Sequence, residues 1–252
     1  MKTDNVVISM SGGLDSTCLA LYMLSKRYRL KIYSFRYGQR HSVELKKLKL
    51  NVKFLSRKFP EQILSYDEID LTPVFSDSVS SLSIFSDDTI PSGHYDSKSM
   101  KSTVIENRNI IFASIIYGKA LSWSKKSGKE TQITLGIHTG DHTIYPDCTV
   151  QSQKAAERAF KISNWGSEKV SYIAPFNKTD KSGILTAGIT AMHRLGLSER
   201  EIIYVLKNTH TCYNPDSKGR SCGICGSCRE RAEAFAANGI KDPTENHLTK
   251  KI

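Results

Sequence analysis

The chain has 252 residues, of which 39% are hydrophobic, and a formal charge of +11 at pH 7. The positive charge suits an anionic ligand, but the basic residues are dispersed along the chain, which argues against a nucleic-acid interface. No apolar run approaches the roughly 20 residues of a membrane span, and no signal-peptide pattern precedes the first strand, so we expect a cytoplasmic protein without a membrane segment.

The first part of the chain alternates strand and helix patterns. Residues 5–10 and 30–36 read as strands, and residues 14–26 and 42–58 read as helices. This β-α-β-α order predicts an α/β fold, in which a parallel sheet carries helices on its faces. Ligands of such sheets bind at the carboxyl ends of the strands, and the turn after the first strand lies there.

The pattern resumes after residues 72–103, which are rich in Ser and Asp and predict a long, partly ordered loop, either a functional lid or disordered. Further predicted elements are a helix over 108–126, a strand over 133–137, a helix over 150–162, a strand over 170–174 and helices over 179–195 and 198–206. We therefore expect one α/β domain over residues 1–206, with a cysteine-rich segment over 207–252 packed on it.

The most informative stretch is the turn after the first strand, where residues 11–16 read Ser-Gly-Gly-Leu-Asp-Ser. Its backbone N–H groups lie at the positive end of a helix dipole, where a phosphate or pyrophosphate can bind. Gly12 and Gly13 let the backbone approach an anion closely, and Asp15 suits Mg²⁺ binding or loop orientation. Taken alone, the glycines also fit a simple turn; the full string resembles the PP-loop of the N-type ATP pyrophosphatases.

Four of the six cysteines cluster near the C-terminus, at Cys212, Cys222, Cys225 and Cys228. The two short gaps let thiolates converge, and four thiolates around one Zn²⁺ form a closed structural site. In a cytoplasmic chain such a cluster predicts a metal rather than disulfides. Zinc is the first expectation, and an iron–sulfur cluster or a redox role is the alternative.

The loop at one end and the cysteine segment at the other resemble the 7-cyano-7-deazaguanine synthase (QueC) family. Other segments similar to that family are Tyr37-Gly38-Gln39-Arg40-His41 with Glu44, Arg108-Asn109, residues 136–148, Asp180-Lys181 and Thr211-Cys212-Tyr213. The resemblance implies a PP-loop α/β fold, ATP, Mg²⁺, one structural Zn²⁺ and a homodimer. It also implies a reaction in which ATP adenylates 7-carboxy-7-deazaguanine, ammonia displaces AMP to give the amide, and a second activation dehydrates the amide to the nitrile.

The resemblance also assigns roles to individual residues. Catalysis falls to Lys181, Arg108 and Asp15, and ATP binding to Ser9, Ser11, Gly12, Gly13, Leu14, Asp15, Ser16 and Arg36. Substrate binding falls to Tyr37, Gln39, Arg40, Asn109, Asp141, Tyr145 and Asp147, and metal binding to the four clustered cysteines. Asp141 or Asp147 could accept hydrogen bonds from the base, although Asp147 could instead cap the following helix.

Two positions depart from the family pattern. Residues 104–107 read Val-Ile-Glu-Asn where members carry Val-Pro-Gly, and Thr149 follows Cys148 where members carry Arg-Pro-Glu-Phe. We expect Glu106 and Thr149 near the substrate, where they would change the charge balance. A second hypothesis therefore stays open, in which the adenylated acid is joined to a protein or another amine; a third is a basic zinc-knuckle nucleic-acid binder.

Overall fold

The computed structural model describes residues 4–95, 97–138 and 145–244. Its strands are β1 (Asn5–Ser9), β2 (Arg29–Arg36), β3 (Ile63–Asp70), β4 (Thr131–Leu135) and β5 (Val170–Tyr172). They form one sheet in the order β3-β2-β1-β4-β5, and each neighbouring pair is parallel. The parallel sheet predicted from the alternating patterns is confirmed.

Helices cover both faces of this sheet. In the described residues they are α1 (Leu14–Ser25), α2 (Val43–Lys58), α3 (Ser97–Ser102), α4 (Arg108–Ser127), α5 (Val150–Ile162), α6 (Lys181–Arg194), α7 (Glu199–Lys207) and α8 (Gly226–Ala237). One apolar core lies under α1, α2, α6 and α7, and another lies under α4 and α5. Because side chains alternate along a strand, Val6 and Ile8 of β1 enter the first core and Val7 enters the second.

The chain changes direction across the sheet at β1. Helix α1 connects β1 to β2, and helix α2 connects β2 to β3, which is one edge of the sheet. The chain then returns to β4, which pairs with the other side of β1. The carboxyl ends of β1 and β4 therefore border a crevice at the point where the strand order reverses. Open parallel sheets bind their ligands at such a point.

Local capping residues determine where the helices near this crevice begin. The Asp180 carboxylate accepts a hydrogen bond from the backbone N–H of Gly183 at 2.6 Å, which places Lys181 at the first position of α6. Ser198 and Glu201 form a reciprocal capping box at the start of α7. Asn107 precedes α4 with a φ of 53°, a left-handed conformation that Asn tolerates better than most residues do.

Two elements and one segment differ from the sequence predictions. β3 and α8 were not predicted, and the segment 72–103 is more ordered than expected. Within it, Ser80 and Ser81 are buried, and both of their hydroxyl groups donate to the carbonyl oxygen of Ser102. The segment is thus held by hydrogen bonds between its own serines.

Phe235 of α8 lies in the same apolar core as α1 and α6. The division of the chain at residue 206 stays a prediction. Across the three described ranges, none of the helices combines the length and apolar character needed to cross a membrane.

Candidate active site

A cavity of about 400 Å³ opens at the carboxyl ends of β1 and β4, within the size range of small-molecule sites. Of the residues predicted for ATP, substrate or catalysis, the cavity is lined by Ser9, Ser11, Gly13, Leu14, Asp15, Ser16, Tyr37, Arg108, Asn109, Tyr145 and Lys181. The fold therefore brings the loop after β1 together with the starts of α4 and α6, which are far apart in sequence.

The loop after β1 is wound tightly around the start of α1. Gly12 has a φ of +95°, and a Cβ atom there would lie 2.3 Å from the backbone oxygen of Glu44, so this position requires glycine. Ser11 Oγ accepts a hydrogen bond from the N–H of Gly13 at 3.1 Å, and Ser16 Oγ accepts one from the N–H of Ser11 at 3.2 Å. The loop lies at the positive end of α1, an arrangement suited to an anion.

A buried lysine lies beside the loop between two carboxylates. Lys181 Nζ is 2.9 Å from Glu230 Oε2 and 3.5 Å from Asp15 Oδ2. Burial alone would lower the pKa of Lys181, but the charges of Asp15 and Glu230 outweigh it and raise the pKa above its usual range. Burial alone would raise the pKa of Asp15, but Lys181 and His138 outweigh it and lower the pKa well below its usual range. Both groups are therefore charged at neutral pH.

A second, partly buried cation also lines the cavity. Arg108, the first residue of α4, donates from Nη1 to the hydroxyl of Tyr37 at 3.3 Å and from Nε to Asn109 Oδ1 at 3.3 Å. Burial would lower the pKa of Arg108, but Tyr37, Tyr213 and Asp147 together raise it above its usual range. The cavity thus places two permanent positive charges near a loop suited to phosphate.

Three buried polar residues on the cavity surface were not predicted as site residues. His41, Glu44 and His210 are 5%, 5% and 3% exposed and all line the cavity; we call them the acceptor wall. His41 Nε2 lies 3.6 Å from Glu44 Oε1, and Gln39 Nε2 donates to the same oxygen at 3.4 Å. An acid in the first turn of a helix ordinarily indicates only a favourable dipole contact; the further signal for His41 and Glu44 is that both belong to the segment after β2 that resembles the family pattern.

Burial dominates the protonation of the acceptor wall. It raises the pKa of Glu44 to about 8, against smaller opposing effects of Gln39, Arg108 and Ser11. Together with Arg108 and His210, burial also lowers the pKa of His41 to about 3. At neutral pH, His41 is therefore a neutral ring and Glu44 is mainly a neutral acid that can still ionise.

Gly12 of the loop does not line the cavity, and three other predicted residues, Arg36, Gln39 and Arg40, do not line it either. Arg36 is half exposed and pairs with Glu68 at 2.5 Å. The Gln39 amide accepts from the N–H of Tyr37 at 2.8 Å and donates to the carbonyl of Phe35 at 3.1 Å, and the Arg40 guanidinium donates to the carbonyl of Ser83 at 2.9 Å. In this structure the last two shape the backbone after β2.

Of the two predicted acids, Asp141 lies outside the described residues. Asp147 is not part of the cavity lining, and it does not cap α5, because the hydroxyl of Thr149 accepts from the N–H of Ser152 at 3.1 Å. Its carboxylate instead accepts from the Cys148 thiol at 3.6 Å.

The two departures from the family pattern have local structural roles. The Glu106 carboxylate accepts from the Ser78 hydroxyl at 2.6 Å, and Thr149 caps α5. Neither residue lines the cavity as the structure describes it. The expectation that both lie beside the substrate is therefore not supported.

The four clustered cysteines are arranged to hold a metal ion. Their sulfur atoms all lie within 4.8 Å of one another. The backbone N–H of Cys222 donates to Cys212 Sγ at 3.2 Å, and the backbone N–H of Cys225 donates to Cys222 Sγ at 3.4 Å. This segment also supports the loop after β1, since the N–H of His210 donates to the carbonyl of Gly12 at 2.9 Å.

Two aromatic residues near the cysteines complete the cavity surface. The rings of Tyr95 and Tyr213 stack at 6.5 Å, and both line the cavity. A Cβ atom on Gly226, the first residue of α8, would lie 3.0 Å from the Tyr95 ring. Tyr95 comes from the Ser-rich segment, where an isolated aromatic residue carries no periodic signal.

Comparison with known proteins agrees with this arrangement. The family model described as "Queuosine biosynthesis protein QueC" matches residues 5–239. Relatives called 7-cyano-7-deazaguanine synthase from Pseudoalteromonas atlantica and Marinobacter nauticus are 38% and 36% identical to this chain. These matches span 95% and 96% of this chain and 97% and 96% of the relatives.

A solved structure, a 4-thiouridine synthetase in complex with RNA and ATP, aligns with 93% of this chain and 51% of its own. Its sequence identity is 16% and its TM-score is 0.45, a similarity too low to transfer anything from it.

Proposed function

This chain belongs to the QueC family of queuosine biosynthesis proteins, and on that premise we propose that it is an ATP-dependent 7-cyano-7-deazaguanine synthase. Its substrates would be 7-carboxy-7-deazaguanine, ATP and ammonia. The observation that carries the proposal is the single cavity in which the loop after β1, Lys181 and Arg108 meet. The closely related synthases match almost the whole chain, which supports the same reaction.

The first half of the proposed reaction transfers AMP to the substrate carboxylate. The backbone N–H groups at the start of α1 would hold the departing pyrophosphate, so that developing negative charge meets dipoles already in place. Lys181 is a buried cation beside that loop, and we assign it to the phosphates. Arg108 lines the same cavity and would hold the substrate carboxylate or the α-phosphate.

Binding of the deazaguanine is assigned to the other side of the cavity. Asn109 and Tyr145 line it, and the Tyr145 hydroxyl shares a hydrogen bond with Thr103 at 2.8 Å. Tyr37 packs edge-on against Phe112, so its part is to position Arg108 as much as to contact the base. The proposed ATP contact of Arg36 and the base contacts of Asp141 and Asp147 remain predictions.

The residues present suit two metal ions. Four thiolates bonded to Zn²⁺ at about 2.3 Å have sulfur–sulfur distances of about 3.8 Å, and two of these distances are 3.5 and 4.0 Å here. We therefore propose that the cysteines hold a structural zinc ion. Asp15 is the carboxylate nearest the loop and suits the Mg²⁺ that accompanies ATP. We also propose a homodimer and a cytoplasmic location.

Transfer of the activated acyl group to a protein or another amine is the second hypothesis. It depended on a changed charge balance at Glu106 and Thr149, and these residues are occupied by local contacts outside the cavity. The relatives are named for nitrile synthesis. Neither observation favours the second hypothesis, and nothing in the described surface favours a nucleic-acid binder.

Mass spectrometry after incubation with ATP, ammonium and 7-carboxy-7-deazaguanine tests the proposal. We expect AMP, pyrophosphate and the nitrile from the unmodified protein. Asp15→Ala should form no AMP while keeping the fold, as judged by circular dichroism, because the loop loses its carboxylate and Lys181 keeps only Glu230 as a partner. Glu201→Gln on α7 is the control with normal turnover. AMP formation without amide or nitrile would contradict nitrile synthesis, and normal turnover by Asp15→Ala would contradict the site assignment.

A further inference from the structure

The acceptor wall is the part of the cavity that the proposed adenylation does not use. Its side chains are almost completely buried, yet two of their polar atoms, His41 Nδ1 and His210 Nε2, have no hydrogen-bond partner in the described structure. Buried polar atoms without partners are uncommon, and each one requires an explanation. Since all three residues line the cavity, a ligand that donates hydrogen bonds would satisfy them.

The contacts of these two rings favour acceptors rather than donors at the two nitrogens without partners. His41 Nε2 faces Glu44 Oε1 at 3.6 Å, and this oxygen already accepts from Gln39 Nε2. An oxygen that accepts from both neighbours favours a proton on His41 Nε2 and leaves Nδ1 as the acceptor. The backbone of Cys212 raises the pKa of His210 against the effect of burial, and because Nε2 has no partner, this interaction favours a proton on Nδ1 and leaves Nε2 as the acceptor. The wall therefore offers two lone pairs and a carboxyl group.

This set of groups suits one class of ligand better than the others in the reaction. Phosphates and carboxylates only accept hydrogen bonds at neutral pH and would be repelled by lone pairs. The deazaguanine base also carries N–H donors, but it is assigned to the part of the cavity lined by Asn109 and Tyr145; ammonium carries only N–H donors. We propose, on the basis of the proposed function, that the acceptor wall is the ammonia subsite: ammonium binds there, and Glu44 removes one proton so that free ammonia faces the acyl group.

Ionised Glu44 takes a proton from ammonium, and the nitrogen lone pair of the resulting ammonia forms the C–N bond with the acyl carbon. The bond between that carbon and the phosphate oxygen breaks, and its electron pair leaves with AMP. The nitrogen then loses a second proton to the AMP phosphate or water, which leaves the neutral amide. Glu44 later returns its proton to water.

The surroundings of Glu44 allow this cycle. It faces His41 and Gln39 from its own connecting loop, Ser11 from the loop after β1 and Arg108 from α4. Its pKa of about 8 lies near neutral pH, so the carboxyl group can both gain and lose a proton there. Both Ser11 and Arg108 affect its ionisation, so it interacts with residues assigned to the phosphates and to the substrate carboxylate.

Steady-state kinetics with two nucleophiles test this subsite. Hydroxylamine is already a free base at neutral pH and would give the hydroxamate without help from Glu44. For Glu44→Gln we expect the KM for ammonium to rise roughly ten- to hundredfold, with hydroxamate formation and the KM for ATP little changed. His41→Phe should raise the KM for ammonium roughly fivefold, and Glu201→Gln is the matched control with an unchanged value.

Each other outcome has a defined meaning. An unchanged KM for ammonium in folded Glu44→Gln, or a parallel loss of amide and hydroxamate formation, would overturn the subsite. A rise in the KM for the deazaguanine acid alone would assign the wall to the base and would overturn it too. If Glu44→Gln does not fold, as judged by thermal unfolding, His41→Phe decides by the same criteria. If the unmodified protein makes neither amide nor hydroxamate, the proposed function itself fails.

Discussion

Single residues at this site were predictable where a charged or loop residue belongs to a recognisable sequence motif. Asp15 and Lys181 followed from the motifs, and they lie 3.5 Å apart. Glu44 and Glu230 were not predicted as site residues, because nothing local distinguishes an acid on a helix that faces a cavity from one that faces water. Only the packing of α2 and α8 reveals which way these carboxyl groups point.

Burial of Glu44 has a consequence for stability that does not depend on activity. Its pKa is raised from 4.5 to about 8 in the folded protein, so the folded state keeps a proton that the unfolded state has lost. This contribution to the free energy of unfolding is complete below pH 4.5 and is lost as the pH rises to about 8. The loss is at most about 1.4 kcal/mol per pH unit.

We therefore expect Glu44→Gln to become more stable relative to the unmodified protein as the pH rises through this range. Chemical denaturation at several pH values measures the difference. Glu201→Gln is the control: a hydrogen bond to Lys58 lowers the pKa of Glu201 to about 2, so its pH-dependent contribution is lost only below pH 4.5. A Glu44→Gln difference that does not change with pH would show that this carboxyl ionises normally.

At the level of elements, the sequence predicted the helices and strands whose buried residues repeat at the regular spacing of a helix or a strand. β3 was missed because it is an edge strand in which only Ile63 is fully buried, so alternation is weak. α8 was missed because its buried face includes Cys228 and Arg231. Arg231 is held by Asp242 at 2.6 Å and by Thr209 at 2.9 Å, a set of partners that no periodic pattern reveals.

The loop between β1 and α1 allows a test with two adjacent glycines. Gly12→Ala places a methyl group against the Glu44 backbone at a φ of +95°, and we expect a loss of about 2 kcal/mol or more in stability. Gly13→Ala is the matched control, since Gly13 has a φ of −68° and its added Cβ would meet nothing closer than 3.3 Å. Thermal unfolding compares them, and equal melting temperatures would contradict this account of the loop.

At the level of the whole molecule, the cysteine segment and the ATP site depend on each other. The segment supplies the His210 contact to Gly12 and the Glu230 contact to Lys181. The composition and the motifs indicated both sites, but only the fold shows that they touch. Loss of the metal should therefore affect ATP binding as well as stability.

We expect Cys225→Ser to contain no zinc, to unfold at a lower temperature and to bind ATP more weakly. Metal analysis, thermal unfolding and calorimetric titration with ATP measure the three effects. Removing zinc from the unmodified protein with a chelator should reproduce them, and adding zinc back should restore that protein but not the variant. Unchanged ATP affinity in a stable, metal-free protein would show that ATP binding does not depend on the metal.

The hydrogen bond from His210 to Gly12 also affects when the nucleotide site can form during synthesis on the ribosome. The loop after β1 emerges early, but β4, Lys181 and His210, which complete its surroundings, emerge only when most of the chain has been translated. Since domains fold as units once their contacts are available, the nascent chain acquires its nucleotide site last. A prematurely terminated product that lacks these residues would therefore consume no ATP in the cell.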